Sequence, residues 1–153
     1  MEKWDIEIRD AKWKVTDDDG KKRIYFVGII YIDDKFFLKG KNPMAFATVI
    51  AKDQFKEYEF VIDGDYDCCI LIKKSIEDIA TIDELNALLK HEFLHFLLGH
   101  RKSITNEENL ALDKKVEEEM TKEEVATLSG LSIRYMMMKR EAFHPFLKDY
   151  TKK

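Results

Sequence analysis

The stretch from Thr81 to His100, TIDELNALLKHEFLHFLLGH, limits this chain more than any other. Thr81 followed three residues later by Glu84 forms a capping box, and Gly99 is a residue that readily ends a helix. Leu, Ala, Glu and Lys dominate between them, so the sequence predicts a helix over 81–98. Leu85, Leu89, Phe93, Phe96 and Leu97 fill much of its circumference, leaving Asn86 and Lys90 as the clear wet edge. Such a helix is mostly buried. Yet His91, Glu92 and His95 fall within roughly a 100° arc of it. Two histidines and a glutamate on one side of a core helix need a partner.

The spacing points to what that partner is. Imidazoles one turn apart can each give a ring nitrogen to one zinc ion, while the adjacent carboxylate stays off the metal and takes a proton from the attacking water. His91-Glu92-Phe93-Leu94-His95 is this HExxH pattern, and three of the chain's four histidines lie between positions 91 and 100. His91 and His95 are therefore the expected zinc ligands, with Glu92 as general base.

The chain around this helix is 153 residues, enough for one domain with a real core. A hydrophobic share of 45% and a net charge of −4 give no footing for general nucleic-acid or membrane binding. The opening MEKWDIEIRD lacks the apolar run of a signal peptide, and no stretch reaches the length of a membrane span. The expected location is cytoplasmic. Cys68 and Cys69 are adjacent, so on a strand they point to opposite faces and read as small buried hydrophobes, not a disulfide.

Residues 1–74 read as mainly β. Trp4, Ile6 and Ile8 alternate with charged neighbours, Trp13 and Val15 continue the alternation, and Asp17-Asp18-Asp19-Gly20 makes a turn. A long apolar strand is expected over 24–32, then a turn at Asp33-Asp34 and a short strand over 36–39. Asn42-Pro43 suggests the start of a short helix with Met44, Phe46, Val49 and Ile50 inward. Segments 57–62 and 68–73 flank Asp63-Gly64-Asp65-Tyr66-Asp67 like the arms of a hairpin. The three alternating Asp do not make a calcium loop, because Cys68 and Lys74 stand where glycine and glutamate belong.

From Ser75 onward the pattern is helical. Beyond the 81–98 helix, helices are expected over 107–120, 121–128 and 132–142, the last two split at Ser129-Gly130 and the last ended by His144-Pro145. The split pair partly matches a helix-turn-helix, with Lys139 where an apolar residue belongs. The expected fold is α+β, one zincin-like domain over 1–153: an antiparallel sheet from 1–74 packed on a helical half, 75–153, that carries the metal site.

A catalytic zinc keeps three protein ligands and an open position. His100 sits beyond Gly99, out of line with the pair, and Leu98 and Arg101 break the metzincin register. HExxH followed some twenty residues later by an acid on another helix resembles the gluzincins. The segment from His91 to Glu117 is more closely similar to predicted metallopeptidases associated with von Willebrand A-like domains, where an HExxHxxxGH helix precedes a segment like Asn-x-Ala-x-Asp. Asn109-Leu110-Ala111-Leu112-Asp113 matches that segment. The resemblance implies Asp113 as third ligand, with Glu117 orienting a histidine; Glu108, Glu117 and His100 are the alternatives.

Geometry agrees with Asp113, since a helix returning from a short connection brings a residue one or two turns in against His95, and Ala111 would permit a close approach. HEFLHFLLGH also resembles the opening motif of ImmA/IrrE-type peptidases, but the ExEAxxFA context of their acidic ligand is missing around Glu108, Glu118, Glu119, Glu123 and Glu124.

The function implied is zinc-dependent hydrolysis of a peptide or protein substrate, with 68–73 as an edge strand able to hold an extended chain and His100 or Tyr135 near the oxyanion. The alternative is a zincin-like binding or regulatory module without turnover, making protein or DNA contacts through its C-terminal helices, which would have no need of Glu92.

Overall fold

A computed structural model describes residues 6–38, 45–58, 62–100 and 106–142. Trp4, Asn42-Pro43 and His144-Pro145 lie outside them. The fold is α+β, as expected, with strands in the first half and helices in the second.

Strand β1 (Ile6–Thr16) and strand β2 (Lys22–Ile32) form an antiparallel hairpin. Its turn is closed by Asp17, whose Oδ1 accepts from the Asp19 and Lys21 amides at 3.0 and 2.8 Å, and Gly20 supplies the positive φ of 79°. The sheet order is β1-β2-β4-β3, where β3 is Ala47–Ala51 and β4 is Cys68–Lys73. β4 runs antiparallel to β3 but parallel to β2, so the sheet is mixed and not antiparallel throughout. CCILIK is buried at every position, the mark of an interior strand covered on both faces. It is neither a hairpin arm with 57–62 nor an edge.

Two other segments exchange their expected conformations. The 36–39 strand is replaced by a short helix, α1 (Lys35–Leu38), because Asp33 Oδ1 accepts from the Lys35 amide at 2.8 Å and the Asp33 and Asp34 carbonyls accept from Phe36 and Phe37. The helix expected after Pro43 is instead β3. Thr48, Val49 and Ile50 are β-branched, and β4 offers them a partner that short-range signals do not reveal.

Alternation divides the sheet's side chains between two cores. One face carries Val27, Ile29, Tyr31, Cys68, Ile70 and Ile72 toward the helices; the other carries Ile30, Ile32, Cys69 and Leu71 toward Phe37, Phe55 and Tyr58. Cys68 and Cys69 thus point to opposite faces, both fully buried and free.

Helix α2 (Lys74–Ile79) follows β4 directly, and α3 (Ile82–Leu97) then crosses the sheet. The capping box of α3 forms as read: the Thr81 amide donates to Glu84 Oε1 at 2.8 Å and the Glu84 amide to Thr81 Oγ1 at 3.2 Å. Leu88, Leu89 and Phe93 pack into the helix-side core, with Phe93 edge-on to Trp13 at 4.8 Å between ring centres. Helix α4 (Asn106–Glu118) packs on another side of α3 through Val116, which joins Ala87 and Met120, just past the end of α4, in a further buried cluster.

The C-terminal helices are one. Helix α5 (Lys122–Ala142) runs without a break through Ser129-Gly130, which removes the helix-turn-helix reading. Leu131 and Tyr135 on it are fully buried, and Arg134 pairs with Glu84, so packing on α3 outweighs the weak helix propensity of a central glycine. No helix among the described residues is long and apolar enough to cross a membrane.

Gly130 has ordinary negative φ, and a Cβ there would meet only Glu84 Oε2 at 3.9 Å. Gly130→Ala should therefore raise stability by up to about 1 kcal/mol in denaturant unfolding; a marked loss would restore a turn at this site. Burial pushes both thiols up to about 12, with Cys69 and Asp67 adding to the rise at Cys68 and a Gly28 backbone hydrogen bond opposing it at Cys69. At pH 8 about one thiol in ten thousand is then ionised. Ellman's reagent should find neither cysteine in the native protein and both in denaturant.

Candidate metal centre

The residues singled out on α3 and α4 converge. His91 and His95 lie one turn apart, and their Nε2 atoms approach to 3.1 Å. Asp113, on α4, places Oδ1 2.9 Å from His95 Nε2 and 3.3 Å from His91 Nε2. These three side chains are the group that could hold a metal ion among the described residues.

Each is delivered by its own local structure. The capped, sheet-backed α3 fixes both imidazoles, and Ala87 against Val116 and Met120 sets the α3–α4 contact. The close approach is made at Ala87. Ala111, where the close approach was expected, is exposed, and so is Leu110, at 70%, whereas Val116 is in the core.

The electrostatics follow from the crowding. Burial raises the Asp113 carboxyl, but hydrogen bonds from His91 and His95 overcome it and hold the group well below the usual carboxylate range. Burial lowers His91, but Asp113, Glu92 and Glu117 outweigh it and the net shift is upward. Glu92 is almost fully buried, and its carboxylate has no hydrogen-bond partner among the described residues. Desolvation pushes its carboxyl up to about 7 against the pull of His91 and His95, and Asp113 adds to the rise. The imidazoles are 12% exposed and Asp113 46%, so solvent reaches the cluster from the α4 side.

The other sequence candidates fall elsewhere. Glu117 is exposed and acts on His91 by charge, with no hydrogen bond to it among the described residues. Glu108, Glu118, Glu119 and Glu123 are exposed, and Glu124 pairs with Lys90 at 2.8 Å. Tyr135 is buried in the core and accepts from Lys73 Nζ at 2.8 Å.

His100 takes a place that sequence reading missed. Its Nδ1 lies 2.9 Å from His95 Nδ1, on the side of that ring opposite Asp113. Burial, His95 and Lys115 hold His100 below the ordinary imidazole value. The Gly99-His100 pair was the available signal, because a glycine stop turns the next residue back along the helix.

Compared with protein-family models, curated proteins and solved structures, the chain gives no match. Its own residues define it as an α+β protein with a two-histidine, one-aspartate cluster. Asp113→Ala should weaken binding of a divalent transition metal by more than about 100-fold, beyond the loss typical of an outer partner. Glu117→Ala and Glu108→Ala should stay near wild type in the same calorimetric titration. Equal affinities across the three variants would remove Asp113 from the ligand set.

Proposed function

We propose that this protein is a zinc-dependent metallopeptidase, with His91, His95 and Asp113 holding the metal and Glu92 moving the protons. One observation carries the reading. Ligand atoms about 2.0–2.1 Å from a tetrahedral zinc stand about 3.3 Å from one another, and the two Nε2 atoms and Asp113 Oδ1 are separated by 3.1, 2.9 and 3.3 Å. Two neutral imidazoles and one carboxylate also suit zinc, leaving a net positive centre able to act on a carbonyl.

Zinc bound there supplies Lewis acidity, polarising a peptide carbonyl and making water a nucleophile at neutral pH. The proton work falls to Glu92. Its carboxylate takes a proton from the attacking water as the water oxygen bonds to the carbonyl carbon. It returns that proton to the amine nitrogen as the C–N bond breaks. Its burial beside the two histidines supports this role, because an excluded-water site strengthens its interactions with reacting groups.

A strand edge supports a peptide as the substrate. β3, against which α3 packs, has β4 on one side and no strand on the other among the described residues. The Lys73 amide donates to the Phe46 carbonyl at 2.9 Å, so by alternation Phe46, Thr48 and Ile50 face β4 while Ala47, Val49 and Ala51 face outward. Gln54 Oε1 accepts from the Ala51 amide at 3.0 Å, which leaves Ala47 and Val49 to pair with an extended chain. This edge takes the part first expected of 68–73.

The test separates metal from turnover. Wild type loaded with zinc should hold about one ion per chain by elemental analysis and cleave an unfolded protein such as casein. Glu92→Gln should keep the zinc and lose roughly 10²- to 10⁴-fold in cleavage rate. Full zinc with no cleavage across a diverse peptide library would sink the peptidase reading and leave the binding module.

A further inference from the structure

The end of α3 is built in a way that gives His100 a task. Leu98 caps the helix, and Gly99 takes the left-handed conformation with φ of 72°. The His100 amide donates to the His95 carbonyl at 2.8 Å and the Gly99 amide to the Phe96 carbonyl at 3.0 Å, the two bonds of a Schellman motif. The motif folds His100 back over the last turn instead of letting it leave along the helix axis. Its ring centre comes to 5.2 Å from that of His95, with the planes at 58°.

The nitrogens that meet are informative. Nε2 of His95 faces His91 and Asp113, so Nδ1 is the nitrogen left to face His100. A neutral imidazole that gives its Nε2 lone pair to a metal must carry its proton on Nδ1 and needs an acceptor there. The sp² nitrogen Nδ1 of His100, at 2.9 Å, is such an acceptor when its own proton is on Nε2. His91 differs: its Nδ1 is buried and has no hydrogen-bond partner among the described residues. The two ligands are therefore supported unequally, and the backing lies on the His95 side.

We infer that His100 is a positioning residue, which accepts the Nδ1 proton of His95 and so fixes the tautomer and ring orientation that aim His95 Nε2 at the metal. This rests on the metal reading above. It replaces the orienting role first expected of Glu117, with an imidazole in the place where a carboxylate or backbone carbonyl more often stands.

The full-length protein tests it with two substitutions. His100→Leu removes the acceptor and keeps apolar bulk. His100→Asn restores one, because Asn Oδ1 is the same number of bonds from the backbone as His Nδ1. Zinc affinity, read by competition with a chromogenic chelator, should fall roughly 10- to 100-fold in His100→Leu and recover to within a few-fold of wild type in His100→Asn. The visible spectrum of the cobalt-loaded protein should change in His100→Leu and return to the wild-type form in His100→Asn. Wild-type affinity and spectrum in His100→Leu would overturn the inference, as would an Asn variant no better than the Leu variant, since packing alone would then be at stake. Wild type that binds neither metal would overturn the metal reading itself, before any variant is compared.

Discussion

The cluster of His91, His95 and Asp113 depends on how closely α4 comes to α3. An aspartate side chain is short, so a carboxylate on one helix reaches imidazoles on the next only where the helix backbones are close. Ala87 makes that possible. It is 3% exposed against Val116 and Met120, and a larger residue there would push α4 away from the sheet-backed helix. The aromatic contacts of Phe93 with Trp13 and Tyr25 hold the other side of α3 to the sheet. One helix is thus gripped by the sheet through its large apolar side chains and by α4 through a small one.

That grip offsets an electrostatic cost. Glu92 lies buried near Asp113, and two carboxylates so close to apolar packing are unfavourable unless positive charge or a metal answers them. The imidazoles supply part of the answer, since they hold Asp113 ionised while leaving Glu92 easily protonated. Farther along α3 the charges are conventional. Glu84 pairs with Arg134 and Lys90 with Glu124, so α5 runs antiparallel to α3.

What could be read from the sequence was what neighbours in the chain decide. The α3 boundaries rest on Thr81, Glu84 and Gly99, and the histidine pair on the four-residue repeat of the same helix. Asp113 was reachable because only eighteen residues and one short connection part it from His95. Strand partners are a different matter. ATVIA became a strand because β4 lies beside it, and CCILIK an interior strand because β2 and β3 flank it; neither fact is present in the five or six residues themselves. Gly130 failed as a helix breaker for the same reason, as its local penalty is small beside the burial of Leu131 and Tyr135. His100 stands outside the cluster, as read, but its contact with His95 depends on the Schellman turn that reverses the chain there.

The parallel pairing of β2 with β4 has a consequence for the order of assembly. Val27 must find Cys68, forty-one residues away, across α1 and β3, while His95 and Asp113 are separated by eighteen. Loop closure over the shorter span costs about 0.7 kcal/mol less, and helices form faster than non-local strand pairs. The β1–β2 hairpin, the β3–β4 pair and the α3–α4 pair are the units with local contacts, and His91, His95 and Asp113 all belong to the last. Joining the two halves waits on β4, whose parallel pairing with β2 is the slow, entropically demanding event. The histidine–aspartate cluster is therefore written into a contiguous segment of about thirty residues, and the sheet serves as the platform on which that segment comes to rest.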